Sequence, residues 1–159
     1  MLSVKIITVG KLKEKEFEAL CNEYLKRIRG FCKIEIEEIP ETRLPDAPSQ
    51  AQIDAALDTE AKLILKSVSN DAYVIPMCIE GKQISSTELA AKLNMIALKT
   101  SKLIFIIGGS NGLSDLVKNR GDFLLSFSKM TFAHHLFRVM LLEQIYRGFS
   151  INAGRSYHK

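Results

Sequence analysis

Apolar positions along this chain follow two alternating periods. Leu2 to Val9 is rich in β-branched residues and closes at Gly10, which predicts a strand buried on at least one face. From Glu14 to Arg29 the apolar residues Phe17, Leu20, Cys21, Tyr24, Leu25 and Ile28 recur three and four apart, predicting an amphipathic helix that Gly30 stops. Lys33 to Ile39 alternates polar and apolar, as a half-exposed strand with an acidic outer face does near a sheet edge. Pro40 to Pro48 holds three of the four prolines and reads as a loop. Ser49 with Gln52 then fits a capping box that opens a helix to about Ser67.

The second half repeats the alternation. Ala72 to Ile79 predicts a strand in spite of Pro76, whose missing N–H demands an edge, a bulge or a functional irregularity. Ser85 and Glu88 form another capping box, for a helix to about Leu98. Lys102 to Ile107 is apolar on both faces, which places it centrally in a parallel sheet, and it ends at Gly108-Gly109-Ser110-Asn111-Gly112. Ser114 to Asn119 reads as a short helix, Phe123 to Phe127 as a strand, and His134 to Arg147 as a final helix before an irregular tail. Strands alternating with helices predict an α/β fold, with a mainly parallel sheet and helices on both faces. Residues 1–159 show no repeat and no linker and read as one domain.

Composition narrows the functional classes. Hydrophobic residues make up 47% and charged residues 25%, a globular balance that excludes disordered and low-complexity classes. The longest apolar runs fall far short of a membrane span, and the first residues lack a basic leader with an apolar block, so a cytoplasmic protein is expected. Cys21, Cys32 and Cys78 are far apart and lack C-x-x-C spacing, the pattern of buried thiols in a reducing compartment and not of a disulfide or zinc site. Charge is uneven: residues 1–101 carry 14 basic and 15 acidic side chains, whereas residues 102–159 carry 8 and 3. A C-terminal positive bias suits nucleic-acid phosphates, and it also suits a solvated lysine face.

In open parallel sheets ligands bind beyond the carboxyl ends of the strands, which gathers Pro76 to Ile79, Gly108 to Gly112 and Phe127 to Ala133 into one neighbourhood. The glycine segment matches neither the dinucleotide fingerprint nor the Walker loop, and serves either as a tight turn or as a close backbone approach to a ligand. Ser126 to Phe132 interleaves hydroxyls, Lys129 and apolar side chains; it fits either a core plug or an amphipathic ligand such as adenosine. His134 and His135 have no partners at metal-ligand spacing, and no metal site is expected. No nucleophilic triad is readable. The apolar stripe of Leu136 to Tyr146 is too wide for one contact surface, which predicts burial on nearly all sides and a symmetric homodimer. The tail from Asn152 gathers Arg155, Tyr157, His158 and Lys159, residues that contact phosphate and stack on bases if they are not frayed.

Several motifs together closely resemble one family. They are Val9-Gly10-Lys11-Leu12-Lys13, Ile107 to Gly112, Leu125-Ser126-Phe127-Ser128-Lys129-Met130-Thr131-Phe132 followed by His134, Arg138 to Arg147 with Glu143-Gln144-x-Tyr146-Arg147, and the terminal Tyr157-His158-Lys159. In order and length they resemble the ribosomal RNA large-subunit methyltransferase H family, of the SPOUT class. The resemblance implies a C-terminal deep trefoil knot, which the general rule against threaded loops would not suggest. It implies a homodimer that methylates N3 of a pseudouridine in 23S rRNA, in the large subunit or the assembled ribosome, with S-adenosylmethionine as donor. It places the donor against Met77, Gly108 and the loop Phe127, Ser128, Lys129, Met130, Thr131 and Phe132. Met77 stands where leucine is usual, a volume-conserving change, and Ala133 where proline is usual. Proton removal falls to His134, to His158 or to water; Arg138, Tyr157, His158 and Lys159 are expected to position RNA, the tail coming from the opposite protomer. Rival readings are a SPOUT enzyme for transfer RNA and a non-catalytic RNA-binding assembly factor.

Overall fold

The computed structural model describes residues 1–158; Lys159, assigned above to RNA positioning, lies outside the described residues. Five strands and five helices alternate: β1 (Ser3–Val9), α1 (Lys15–Ile28), β2 (Lys33–Ile39), α2 (Gln50–Lys66), β3 (Tyr73–Gln83), α3 (Ser86–Lys99), β4 (Lys102–Ile107), α4 (Asp115–Arg120), β5 (Leu125–Ser126) and α5 (His134–Asn152). All pairings are parallel, in the order β2-β1-β4-β3-β5, so the acidic-faced strand is an edge and the fully apolar one is central, as their patterns predict.

Side chains alternate across the sheet and fill two layers. Val4, Ile6, Ile75, Leu103 and Phe105 meet α1, α3 and α5 on one face, while Ile7, Val9, Val74, Ile104 and Ile106 meet α2 and α4 on the other. Phe105 is fully buried in the first layer, where such a side chain contributes about 1.5–3 kcal/mol. Both predicted capping boxes form: Ser49 Oγ accepts from Gln52 N–H at 3.2 Å and Ser85 Oγ from Glu88 N–H at 3.1 Å, each returned by the N3 side chain. Cys21 and Cys32 are buried free thiols, and burial pushes the Cys32 thiol up to about 11.

Three boundaries differ from the pattern-based expectation, each because tertiary partners decide them. β3 runs on to Gln83 because Lys82 and Gln83 pair with Leu125 and Ser126 after a register shift beyond Met77. β5 shrinks to two residues because Asp122 and Phe123 turn their N–H groups to the Val74 carbonyl, and the Asp122 carboxylate accepts from Val74 N–H at 2.8 Å. Pro76, two residues on and so facing the same side, meets this interrupted pairing; its missing donor falls where no ladder bond is made. α5 extends past Arg147 to Asn152, whose side-chain amide donates to the Ala90 carbonyl of α3 at 2.8 Å. Among the described residues, no helix is long and apolar enough to cross a membrane.

Candidate functional site

The chain order fixes where a cleft can open. β1 and β3 exit into helices on one face of the sheet, while β4, between them, exits into α4 on the other. Adjacent exits that diverge leave a crevice at the carboxyl ends, and Gly108 stands in it. A cavity of about 450 Å³ lies there, lined by Met77 and Cys78 of β3, by the turn from Ile107 to Leu113, and by the loop between β5 and α5. The three segments singled out in the sequence do converge. Gly108 is required by close approach, since a Cβ there would lie 2.5 Å from the Gly112 carbonyl oxygen.

Of the loop residues, Phe127, Ser128, Met130, Thr131 and Phe132 line the cavity, together with His134 and Phe137 at the start of α5. Lys129 does not; it is exposed on the outer side of the loop. Ser126 Oγ donates to the Ser128 carbonyl at 3.0 Å and Ser128 Oγ accepts from Met130 N–H at 3.0 Å, two local bonds that fold the loop over without a ladder. Residues 127–133 belong to no strand or helix, so most of their backbone donors and acceptors stay available to a ligand. Met130, 74% exposed, leaves an apolar rim. The set is apolar walls with backbone polar groups, suited to a nucleoside-sized molecule.

The named polar residues fall in three places. His134 faces the cavity, and its pKa is lowered, first by burial and then by His135 and Arg138, against the opposing pull of Glu41 and Glu14; it is neutral at pH 7. His135 turns away, its Nδ1 2.8 Å from Glu14. Arg138 is 4% exposed, and its guanidinium donates to Glu38 at 3.0 Å, to Thr8 Oγ1 at 2.9 Å and to the Gly10 carbonyl at 3.3 Å. It therefore acts on the seating of α5 against β1 and β2, and an RNA in solvent does not meet it in this protomer. Burial would raise the Glu38 carboxyl, but the Leu12 N–H and Arg138 hold it below its ordinary value. Tyr157 and His158 pack on the far part of α5: Tyr157 donates to Glu143 at 3.2 Å and meets the Tyr146 ring edge-on at 4.7 Å, and His158 Nδ1 lies 3.3 Å from Arg147. Glu143 and His134 are nine residues apart, about 13 Å along the helix, so Tyr157 and His158 do not reach their own cavity.

Sequence reasoning missed three contributors: Glu41, which accepts from Ser110 N–H at 2.8 Å; the Glu80–Lys118 pair on the cavity wall; and Phe137, which packs on Phe127 with centroids 4.9 Å apart. Glu41 was legible only as part of a proline-rich loop, although it follows β2 at the same carboxyl edge. Among the described residues, no group of three or more His, Cys, Asp or Glu side chains is placed to hold a metal ion.

Comparison with known proteins gives the family. A family model described as "Predicted SPOUT methyltransferase" matches residues 2–158. The ribosomal RNA large subunit methyltransferase H of Bifidobacterium adolescentis is 47% identical over 159 residues, covering 99% of this chain and 100% of that protein; the protein of the same name from Clostridioides difficile is 45% identical with the same coverage. A protein from Haemophilus influenzae described as a "probable methylase family protein" shares the fold, with a TM-score of 0.55 over 100% of this chain and 72% of that one, at 14% identity. With residues 2–158 covered by the family model and relatives 45–47% identical along 99% of its length, this chain belongs to the SPOUT methyltransferase family.

Proposed function

We propose that this protein methylates N3 of a pseudouridine in 23S rRNA of the large ribosomal subunit or assembled ribosome, acting in the cytoplasm as a homodimer with S-adenosylmethionine as donor. The observation that carries the reading is the convergence of Met77, the Gly108 turn and the Phe127 to Phe132 loop on one nucleoside-sized cleft. The names of the full-length relatives supply the RNA class. The threading of the β5 to α5 segment as a trefoil knot belongs to the same reading.

When bound, the donor supplies a sulfonium-activated methyl group, a strong electrophile that needs alignment more than activation. Met77, Phe127 and Phe132 would enclose it with apolar surface and exclude water, and backbone groups of the loop would be available to its base. His134, neutral at pH 7 and facing the cleft, is available to take the proton that N3 gives up. Lys129, exposed on the loop, faces solvent where RNA phosphate would approach. Since Tyr157 and His158 lie far along α5 from their own cleft, their contribution to RNA comes from the opposite protomer, as does that of Lys159. Arg138 serves indirectly, by holding the helix that carries His134.

Offering labelled donor with free 23S rRNA, large subunits, whole ribosomes and transfer RNA side by side tests the reading. Methyl incorporation into ribosomal particles is expected; labelling of transfer RNA instead, or absence of donor binding by calorimetry, would sink it in favour of one of its rivals. Deleting Tyr157 to Lys159 should abolish turnover while leaving donor affinity within a factor of a few. Full turnover by the truncated protein would exclude a role for the tail.

A further inference from the structure

One carboxylate sits at the crevice between β1 and β4 with no role assigned so far. Glu41 follows β2 by two residues, and its chain is pinned next door, where Thr42 N–H donates to the buried Glu60 at 2.9 Å. Its Oε1 accepts from Ser110 N–H at 2.8 Å, in the middle of the turn that carries Gly108. The contact is close on the neighbouring residue too: a Cβ on Gly109 would lie 2.7 Å from the same oxygen, so the carboxylate lies tight against the turn. Its Oε2 makes no hydrogen bond among the described residues. That oxygen and His134 Nε2 lie 3.5 and 3.6 Å from one and the same point beside Gly10. Glu41 thus bonds the turn after β4 and lies beside Gly10 at the end of β1, on the side where the His134 ring of α5 approaches.

We propose that Glu41 is a positioning residue of the methyl-transfer site, its Oε1 fixing the Gly108 to Gly112 turn through Ser110 and its Oε2 facing the His134 imidazole. The inference rests on the donor-pocket reading above. Two effects separate chemically. The hydrogen bond needs only an acceptor, which a glutamine retains, whereas the influence on His134 needs the charge. His134 is faced by His135 and Arg138 on its own helix, by Glu14 at the start of α1 and by Glu41 from the loop after β2. His135 and Arg138 disfavour the imidazolium, and the two carboxylates favour it. Removing the charge of Glu41 therefore keeps His134 neutral to a lower pH.

The test compares the wild-type chain with Glu41→Gln and Glu41→Ala, reading S-adenosylmethionine affinity by calorimetry and the pH profile of methyl transfer to large subunits. Loss of a hydrogen bond to a charged acceptor predicts about ten- to a hundredfold weaker donor binding for Glu41→Ala. Glu41→Gln should keep most of the affinity and move the acidic limb of the profile to lower pH. Wild-type donor affinity in Glu41→Ala, equal losses in both variants, or an acidic limb unmoved in Glu41→Gln would each overturn the proposal. If Glu41→Ala does not fold, the Glu41→Gln profile still decides. A wild-type protein that binds no donor would bring down the pocket reading as well, whereas binding by the wild type with unaltered variants would remove the role of Glu41 alone.

Discussion

Arg138 shows how a single side chain can serve a site it does not touch. Its three acceptors come from β1, from the turn after it and from β2, so truncation would leave Thr8, Glu38 and the Gly10 carbonyl short of a donor at the root of α5. Unsatisfied buried groups cost about 1–3 kcal/mol, and Arg138→Ala should lower the urea-unfolding free energy by about 2–3 kcal/mol. Arg138→Lys keeps the charge and three donors but gathers them on one nitrogen, without the spread of the guanidinium across β1 and β2, and should recover only part of that loss. His134 gives a pH signature. Its folded-state pKa lies below the ordinary 6.5, so the unfolded chain takes up a proton first as pH falls. Stability should therefore decline as pH drops through 6.5, until the folded-state pKa is passed. Thermal melts of wild type and His134→Asn across that range isolate this contribution, and parallel curves would refute it.

At the scale of elements, α5 explains why its sequence pattern is so broad. The helix is wedged between α1 and α3 and over the sheet, with Val139, Leu141, Leu142 and Ile145 buried, so much of the stripe is satisfied within the protomer. Leu136, Phe137, Met140 and Tyr146 stay partly open, and they are the positions that the proposed homodimer would cover. The helix begins without a side-chain cap: Ala133 occupies the cap position at φ −55° and ψ 132°. That φ lies within the range of the proline ring, and the Ala133 N–H is not among the donors of backbone bonds between elements. Ala133→Pro, the residue usual in the family the motifs resemble, should stabilise the protein by about 0.4–1 kcal/mol through the unfolded state. A lower urea midpoint for the proline variant would show that the loop needs the freedom alanine gives it.

For the molecule as a whole, the uneven charge of the sequence reads differently once pairs are seen. Lys102 meets Asp71, Lys118 meets Glu80, Arg120 meets Asp122, Arg138 meets Glu38 and Arg147 meets Glu143. Among the described residues of the C-terminal third, Lys129 and Arg155 remain outside salt bridges, and Arg155 lies over the Phe31 ring with its guanidinium carbon 4.4 Å from the centroid. If RNA meets the protein through this third alone, two free cations release few counterions. Binding to isolated 23S rRNA should be weak, with log K falling against log salt with a slope of only about −2 per protomer. Filter binding over a salt series checks this, and a slope several times steeper would reveal a phosphate-tracking surface that these pairings do not provide. Recognition of an assembled ribosomal surface would then carry the specificity that charge does not.

The alternation of hydrophobic patterns was enough to determine the α/β class, the central and edge strands and both capping boxes, because each rests on local periodicity or on residues three apart. The cleft was legible too, since glycines and an unpaired loop at strand ends are written in order along the chain. Only the tertiary structure decided the length of β3 and β5, the burial of Arg138, the distance of Tyr157 and His158 from their own cavity and the place of Glu41. Each of these depends on groups brought together from distant parts of the chain: Glu41 and Ser110 are 69 residues apart, Arg138 and Thr8 are 130. Periodicity reports which face of an element is apolar; it carries no information about which distant donor or charge will be folded against it.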